Sequence, residues 1–342
     1  MKQLKKLAFL IIVIAVIIPQ VGCGEKAPFS KTDFCLDTAC EITIYDDMSA
    51  KEADELLTGV YEEIRTYEEM LSKTVAGSDI DKINKAHGES TEVSDETIDV
   101  IRTAGIISWM SDGAFDITIG GVTGLWDFKS EDPEVPSDDS IQAAIAHVDY
   151  KKITSGGGAV KVSDEVAQLD LGGVAKGYIA DRAAQYLEDN GVTKAVVNLG
   201  GNVIVIGEKE ENTPWNVGIE RPYSDRTELI GTIQVTDATV VTSGIYERNF
   251  EQDGVLYHHV LDPETGYPSE SDLEAVTITA AKGNSGFCDA LSTECLILGK
   301  EDALELIKAV QDEYPDKKVE AALIDKNDKV TQTDGMKINF ME

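Results

Sequence analysis

The chain has 342 residues, 63 acidic against 30 basic, and a formal charge of −33 at pH 7. Such a surface repels phosphate backbones, which excludes nucleic acid as a partner, and any phosphate-bearing ligand needs local cationic help. At this length the chain is one large domain or two small ones, and no internal repeat or long low-complexity linker divides it.

Residues 1–22 read as an export signal. Lys2, Lys5 and Lys6 make a basic start, and Leu7 to Ile18 is an apolar run of twelve, too short for a membrane span and suited to a signal core. Val21-Gly22-Cys23 resembles the end of a lipoprotein box in which Cys23 becomes the lipidated first residue; Gln20 stands where an aliphatic residue is usual. An ordinary cleaved signal or an uncleaved anchor is the alternative. Three lysines leave with the signal, so −33 becomes −36. Lipid on Cys23 tethers a protein to a membrane without a transmembrane helix. Residues 23–30 are then anchor and spacer, and 31–342 the folded unit.

Ser49 and Glu52 form a capping box for a first helix, in which Ala53, Leu56, Leu57, Val60, Ile64, Tyr67 and Leu71 recur at helical spacing. Leu71-Ser72 ends it, and Ser78-Asp79-Ile80 through Asn84 restarts a helix. Further helices are expected over Asp95–Met110, stopping at Gly113, over Asp139–His147, and from Ala175 to the Asn190-Gly191 stop. Strands are expected at Lys194–Leu199, Val203–Gly207, Trp215–Ile219, Leu229–Val235 and Val240–Thr242. Others follow at Val255–Leu261, Leu273–Ala280, Val319–Ile324 and Val330–Thr333. Consecutive short strands point to an antiparallel meander rather than βαβ units, so the fold class is α+β, helices packed on a largely antiparallel or mixed sheet.

Four cysteines follow Cys23. Cys35 and Cys40 lie too far apart along an extended strand to bond each other, Cys288 and Cys295 are two helical turns apart, and free buried thiols are expected. No CxxC or Cys/His zinc spacing is present. Trp109 and Trp126 read as core or lid residues.

Three segments differ from ordinary scaffold. In Leu169-Asp170-Leu171-Gly172-Gly173-Val174-Ala175-Lys176-Gly177-Tyr178 a short strand meets paired glycines and then a helix, which is either a tight turn or a cradle for an anionic ligand. Asp289 and Thr293 share one face of a predicted helix; they are a cap and a packed hydroxyl, or two hard oxygen ligands suited to Mg²⁺. His258 and His259 end an apolar strand before a Pro- and Gly-bounded turn, and a histidine there is structural or exchanges protons near neutral pH.

In their order as well as their content these segments resemble the ApbE family, the FAD:protein FMN transferases, in their exported lipoprotein form. The matching parts are Leu71-Ser72 with Ser78 and Asn84, Asp112-Gly113-Ala114-Phe115-Asp116, Leu169 to Tyr178, and Asn198-Leu199-Gly200-Gly201-Asn202. Thr242-Ser243-Gly244, His259 to Pro268 and Asp289 to Thr293 complete the set. The resemblance implies a T-fold-related architecture and a Mg²⁺-dependent enzyme that splits FAD, attaches FMN through a phosphoester to a Thr or Ser of an acceptor protein, and releases AMP. Acceptors of this family are flavoproteins of membrane electron-transfer systems. Carried over residue by residue, the metal ligands are Asp289, Thr293 and the Gly173 carbonyl, and the flavin-site positions are Ala114, Phe115, Asp116, Asp170 and Lys176. Leu36 and Thr74 are weaker correspondences, since Leu36-Asp37-Thr38 stands for the usual Met-Gly-Thr and Thr74 for an aromatic. His259 takes the place of the histidine proposed to deprotonate the acceptor hydroxyl. A hydrolase giving FMN and AMP, and a flavin-binding lipoprotein without chemistry, are the competing readings.

Overall fold

The computed structural model describes residues 27–224 and 228–341. The signal and Cys23 therefore lie outside the described residues. The spacer is shorter than expected, because Phe29 and Ser30 already belong to the first strand.

In chain order the elements begin with β1 (Phe29–Cys35), β2 (Thr38–Ile44), α1 (Ala50–Leu71), α2 (Asp79–Asn84), β3 (Thr91–Glu92) and α3 (Asp95–Met110). Next come α4 (Gly120–Thr123), α5 (Asp138–Ile145), β4 (Ile153–Gly156), β5 (Ala159–Val162) and α6 (Ala175–Asp189). Then follow β6 (Ala195–Leu199), β7 (Asn202–Ile206), β8 (Trp215–Glu220), β9 (Leu229–Val235), β10 (Ala238–Gly244), β11 (Asn249–Gln252) and β12 (Val255–His258). The chain closes with β13 (Leu273–Ala281), α7 (Ser285–Leu298), α8 (Lys300–Glu313), β14 (Glu320–Asp325), β15 (Val330–Gln332) and β16 (Ile338–Phe340).

An eight-stranded sheet in the order β1-β2-β6-β7-β10-β13-β14-β15 forms the centre. All its pairings are antiparallel. The α+β class stands, but the meander does not: β8 and β9 leave the main sheet and pair with β16 in a separate three-stranded one. The reason is burial on both faces. Along β10, Val241 faces the helices while Val240 faces the small sheet, and β14 alternates Ala321 and Leu323 with Ala322 and Ile324 in the same way. Strands covered twice read as continuous apolar runs, and such runs do not say which neighbour they pair with.

The helical layer rests on capping. Ser49 accepts from the Glu52 N–H at 3.2 Å and starts α1 where the capping box placed it. α6 and α7 start differently, since neither has a side-chain cap of its own. Asp289 of α7 accepts from the Gly177 N–H in the first turn of α6, at 3.0 Å, and Asp181 of α6 accepts from the Gly286 N–H in the first turn of α7, at 3.1 Å. The helices cap each other. Their contact is close because residue 177 is glycine: a Cβ there would stand 2.2 Å from the Ser285 carbonyl oxygen.

A smaller apolar cluster joins α4 and α5 to the β11–β12 ribbon, with Trp126 at its centre. Its ring stacks on Phe128 and lies against Phe250, Tyr257 and Tyr267, and its indole N–H donates to the Gly266 carbonyl at 2.9 Å. Trp109 departs from expectation: it is 68% exposed and lines an open surface cleft beside α3. The four cysteines after Cys23 are buried free thiols. Cys35 and Cys40 lie on neighbouring strands of a hairpin rather than along one strand, the Cys40 thiol donating to the Cys35 carbonyl at 3.5 Å. No helix among the described residues is long and apolar enough to cross a membrane.

Glu294 on α7 is fully buried, and neither carboxyl oxygen has a hydrogen-bond partner. Burial pushes its pKa up to about 9, so it is neutral in the folded protein at pH 7. Once unfolded it ionises near the ordinary glutamate value, so the native state holds the extra proton and stability falls as pH rises from about 4.5 toward 9. At pH 7 the loss is about 3 kcal/mol. Glu294→Gln is expected to flatten the unfolding free energy between pH 5 and 8, and Glu294→Leu to raise the melting temperature. Denaturant titrations at several pH values check this; an unchanged slope in Glu294→Gln contradicts it.

Candidate active site

Three elements converge where the predicted ligands meet. The segment Leu169–Gly173 is held by Asn84, which donates to the Leu169 carbonyl at 3.0 Å and accepts from its N–H at 2.6 Å. It also pairs with the loop after α3, through the Asp170 N–H to the Ile117 carbonyl at 2.8 Å. Gly173 is thereby pressed against Phe115 and Thr293: an added Cβ would lie 2.9 Å from the phenyl ring and 3.6 Å from the threonine methyl. Asp289 sits one turn before Thr293 on α7 and is 2% exposed.

The donor set suits a hard divalent cation. One Asp289 oxygen is engaged by the Gly177 N–H, while among the described residues the other has only the Lys176 ammonium at 3.9 Å. The Thr293 hydroxyl makes no hydrogen bond among the described residues. Carboxylate, hydroxyl and backbone carbonyl are oxygen donors of the kind Mg²⁺ takes. Among the described residues no group of three or more His, Cys, Asp or Glu side chains forms an alternative metal site.

His259 follows directly on β12. Its N–H and its ring Nδ1–H both donate to the Arg248 carbonyl, at 3.1 and 3.2 Å. A carbonyl only accepts, so Nδ1 carries the proton and Nε2 keeps its lone pair. Burial, reinforced by the Lys176 and Arg248 charges, lowers the His259 pKa to about 3. This corrects the expectation of exchange near neutral pH: the free imidazole is already neutral there. His258 points elsewhere. It is buried, donates from Nε2 to the Ser269 carbonyl at 3.2 Å, and is held at about 4 by burial.

Asp170 is the other charged member. Burial opposes its ionisation, but Lys73 at 2.7 Å, the Thr123 hydroxyl at 2.6 Å and the Gly172 N–H at 2.8 Å hold its pKa below the usual range. Asp116 is different: both oxygens are taken, by the Thr118 N–H and hydroxyl at 2.7 Å and by the Tyr150 N–H at 2.6 Å. Burial raises its pKa despite these bonds. These bonds tie the loop that carries Ala114 and Phe115 to Thr118 and Tyr150.

Among the described residues no hydrogen bond ties Leu36 or Thr74 to this cluster. The Leu36 N–H goes to Glu68 at 2.9 Å, and the exposed Thr74 bonds Ser72 at 3.0 Å. Beside Thr74, however, Lys73 reaches Asp170. Sequence reasoning missed Lys73, Thr123 and Arg248, since each meets the site through contacts distant in the chain and none lies in a local pattern.

The ApbE family model matches residues 36–315. The chain belongs to the ApbE family. A relative from Treponema pallidum named FAD:protein FMN transferase is 31% identical over 335 residues, covering 91% of this chain and 92% of its own. One of the same name from Klebsiella pneumoniae is 34% identical, covering 83% and 87%. The solved ApbE protein of Thermotoga maritima superposes with a TM-score of 0.80 at 32% identity, covering 90% of this chain and 97% of its own. The apo flavinyl transferase ApbE of Pseudomonas stutzeri gives 0.77 at 26% identity, covering 92% and 97%. These ApbE structures share the mixed α+β architecture, and the residues gathered around Gly173 lie within the span that the family model matches.

Proposed function

We propose that this protein transfers the FMN moiety of FAD to a Thr or Ser hydroxyl of an acceptor protein and releases AMP. This reading is supported by Gly173 pressed against Thr293, by the Lys176 ammonium 3.9 Å from Asp289, and by a lone-pair-bearing His259 on which the Lys176 charge acts. Asp289, Thr293 and the Gly173 carbonyl would hold Mg²⁺, which when bound supplies positive charge at the pyrophosphate. Lys176 adds a fixed cation beside it. His259 Nε2 accepts the acceptor's proton, while Nδ1–H on the Arg248 carbonyl keeps the ring in the required tautomer.

Incubation with FAD, Mg²⁺ and a candidate flavoprotein acceptor, followed by intact-mass measurement of the acceptor, tests the reaction. The expected result is a mass gain of one FMN, with AMP appearing in step. Rapid AMP release without acceptor would favour the pyrophosphatase instead, and bound FAD with no AMP at all would favour a binding protein.

Location belongs to the same proposal: Cys23 is the lipidated N-terminus and holds the enzyme at the outer face of the cytoplasmic membrane or in the periplasm. Cys23→Ser is expected to release the protein from the membrane fraction or to block signal removal. An unmodified mature N-terminus downstream of Cys23 would contradict this.

A further inference from the structure

Among the described residues Arg248 is a cation without an ion-pair partner, in a chain whose acidic residues outnumber its basic ones, 63 to 30. Its guanidinium makes no ion pair and no side-chain hydrogen bond among the described residues. Its neighbours explain why this matters. The β11–β12 register pairs Asn249 with His258, and the His259 N–H continues that ladder to the Arg248 carbonyl. Arg248 and His259 therefore stand opposite one another with side chains on the same face of the ribbon. Lys176, whose ammonium lies 3.9 Å from Asp289, faces the same imidazole from α6.

The charges of two cations thus act on one half-buried, neutral imidazole, and of the two only Lys176 comes within 4 Å of a carboxylate among the described residues. Like charges held together around a desolvated group are unfavourable unless an anion fits between them. We propose that Arg248 binds the pyrophosphate of FAD, opposite Lys176, and holds it in line with His259. A guanidinium fork is suited to phosphate oxygens because it offers two parallel N–H donors.

In the transfer step the acceptor oxygen bonds to the FMN phosphorus, and its proton passes to His259 Nε2. The bond from that phosphorus to the AMP phosphate breaks, and AMP leaves with the electron pair. Arg248 neutralises charge that grows on the leaving phosphate. This role rests on the transferase reading, whereas its binding part can be read without turnover.

The test uses the full-length protein with Mg²⁺ and two variants, Arg248→Gln and Arg248→Lys. Both keep the backbone carbonyl that orients His259. Flavin fluorescence gives affinities for FAD and riboflavin, and competition gives those for AMP and adenosine. Arg248→Gln is expected to lose FAD affinity about tenfold or more while riboflavin and adenosine bind as before, with partial recovery in Arg248→Lys. Unchanged FAD affinity overturns the proposal, and so does an equal loss for riboflavin, which would mark a structural defect. If wild-type protein shows this phosphate discrimination but never labels an acceptor, the transferase reading fails while the phosphate site stands.

Discussion

Asp289→Asn is expected to abolish Mg²⁺-dependent release of AMP and labelling of acceptor, with a loss of at least 10³-fold, the scale of removing charge stabilisation from phosphoryl transfer. Asparagine is the informative replacement. Its carbonyl oxygen can still accept from the Gly177 N–H, so the cap on α6 survives and only the anionic ligand is lost. Asp289→Ala removes both and is expected to destabilise the helix pair as well. Thr293→Val, which removes a neutral donor, weakens metal dependence less and shows as a raised Mg²⁺ requirement. Titrating activity against Mg²⁺ with thermal melts in parallel separates the effects. Full activity of Asp289→Asn at low Mg²⁺ would remove the metal site from this position.

His259→Ala should lower transfer by about 10²-fold or more and leave FAD bound, because a general base is lost while the cofactor cradle is built from other residues. The pH dependence has a definite sign. A pKa lowered to about 3 keeps the imidazole in its base form above that value, so kcat/KM, which reports the free enzyme, shows no histidine limb between pH 5 and 8 and falls only toward pH 3. His258→Ala is the control. It removes a buried bond to Ser269 and costs stability, while transfer stays within a few-fold of wild type. Equal losses in the two variants, or lost FAD binding in His259→Ala, would defeat this assignment.

What could be read from the chain followed from local chemistry. Ser49 and Glu52 placed the start of α1, and the Asp95–Met110 helix and the Leu229–Val235 strand were found with the expected bounds. The β1–β2 hairpin was missed because its turn, Leu36-Asp37, adopts positive φ of 54° and 59° without the Gly or Asn that usually signals it. The strand expected over Val255–Leu261 ends at His258, although the His259 N–H still bonds across to the Arg248 carbonyl. For the site, motif order singled out Asp289, Thr293, Gly173, Lys176 and His259, and the fold sets Gly173 against Thr293 and Lys176 within 3.9 Å of Asp289. Motif order could not locate Lys73, because the Lys73–Asp170 pair is made by folding two distant loops together.

The reciprocal capping of α6 and α7 divides the molecule's freedom of movement. Sliding one helix along the other would strip both first turns of their acceptors at once, so the two travel only as a single piece. Asp289, Thr293 and Lys176 ride on that piece and keep their spacing through any breathing of the fold. His259 and Arg248 sit side by side at the base of a two-stranded ribbon that packs Phe250 and Tyr257 into the cluster around Trp126. Adjustment to differently shaped incoming chains therefore falls to the ribbon, and the helix pair with Asp289 and Thr293 stays as it is.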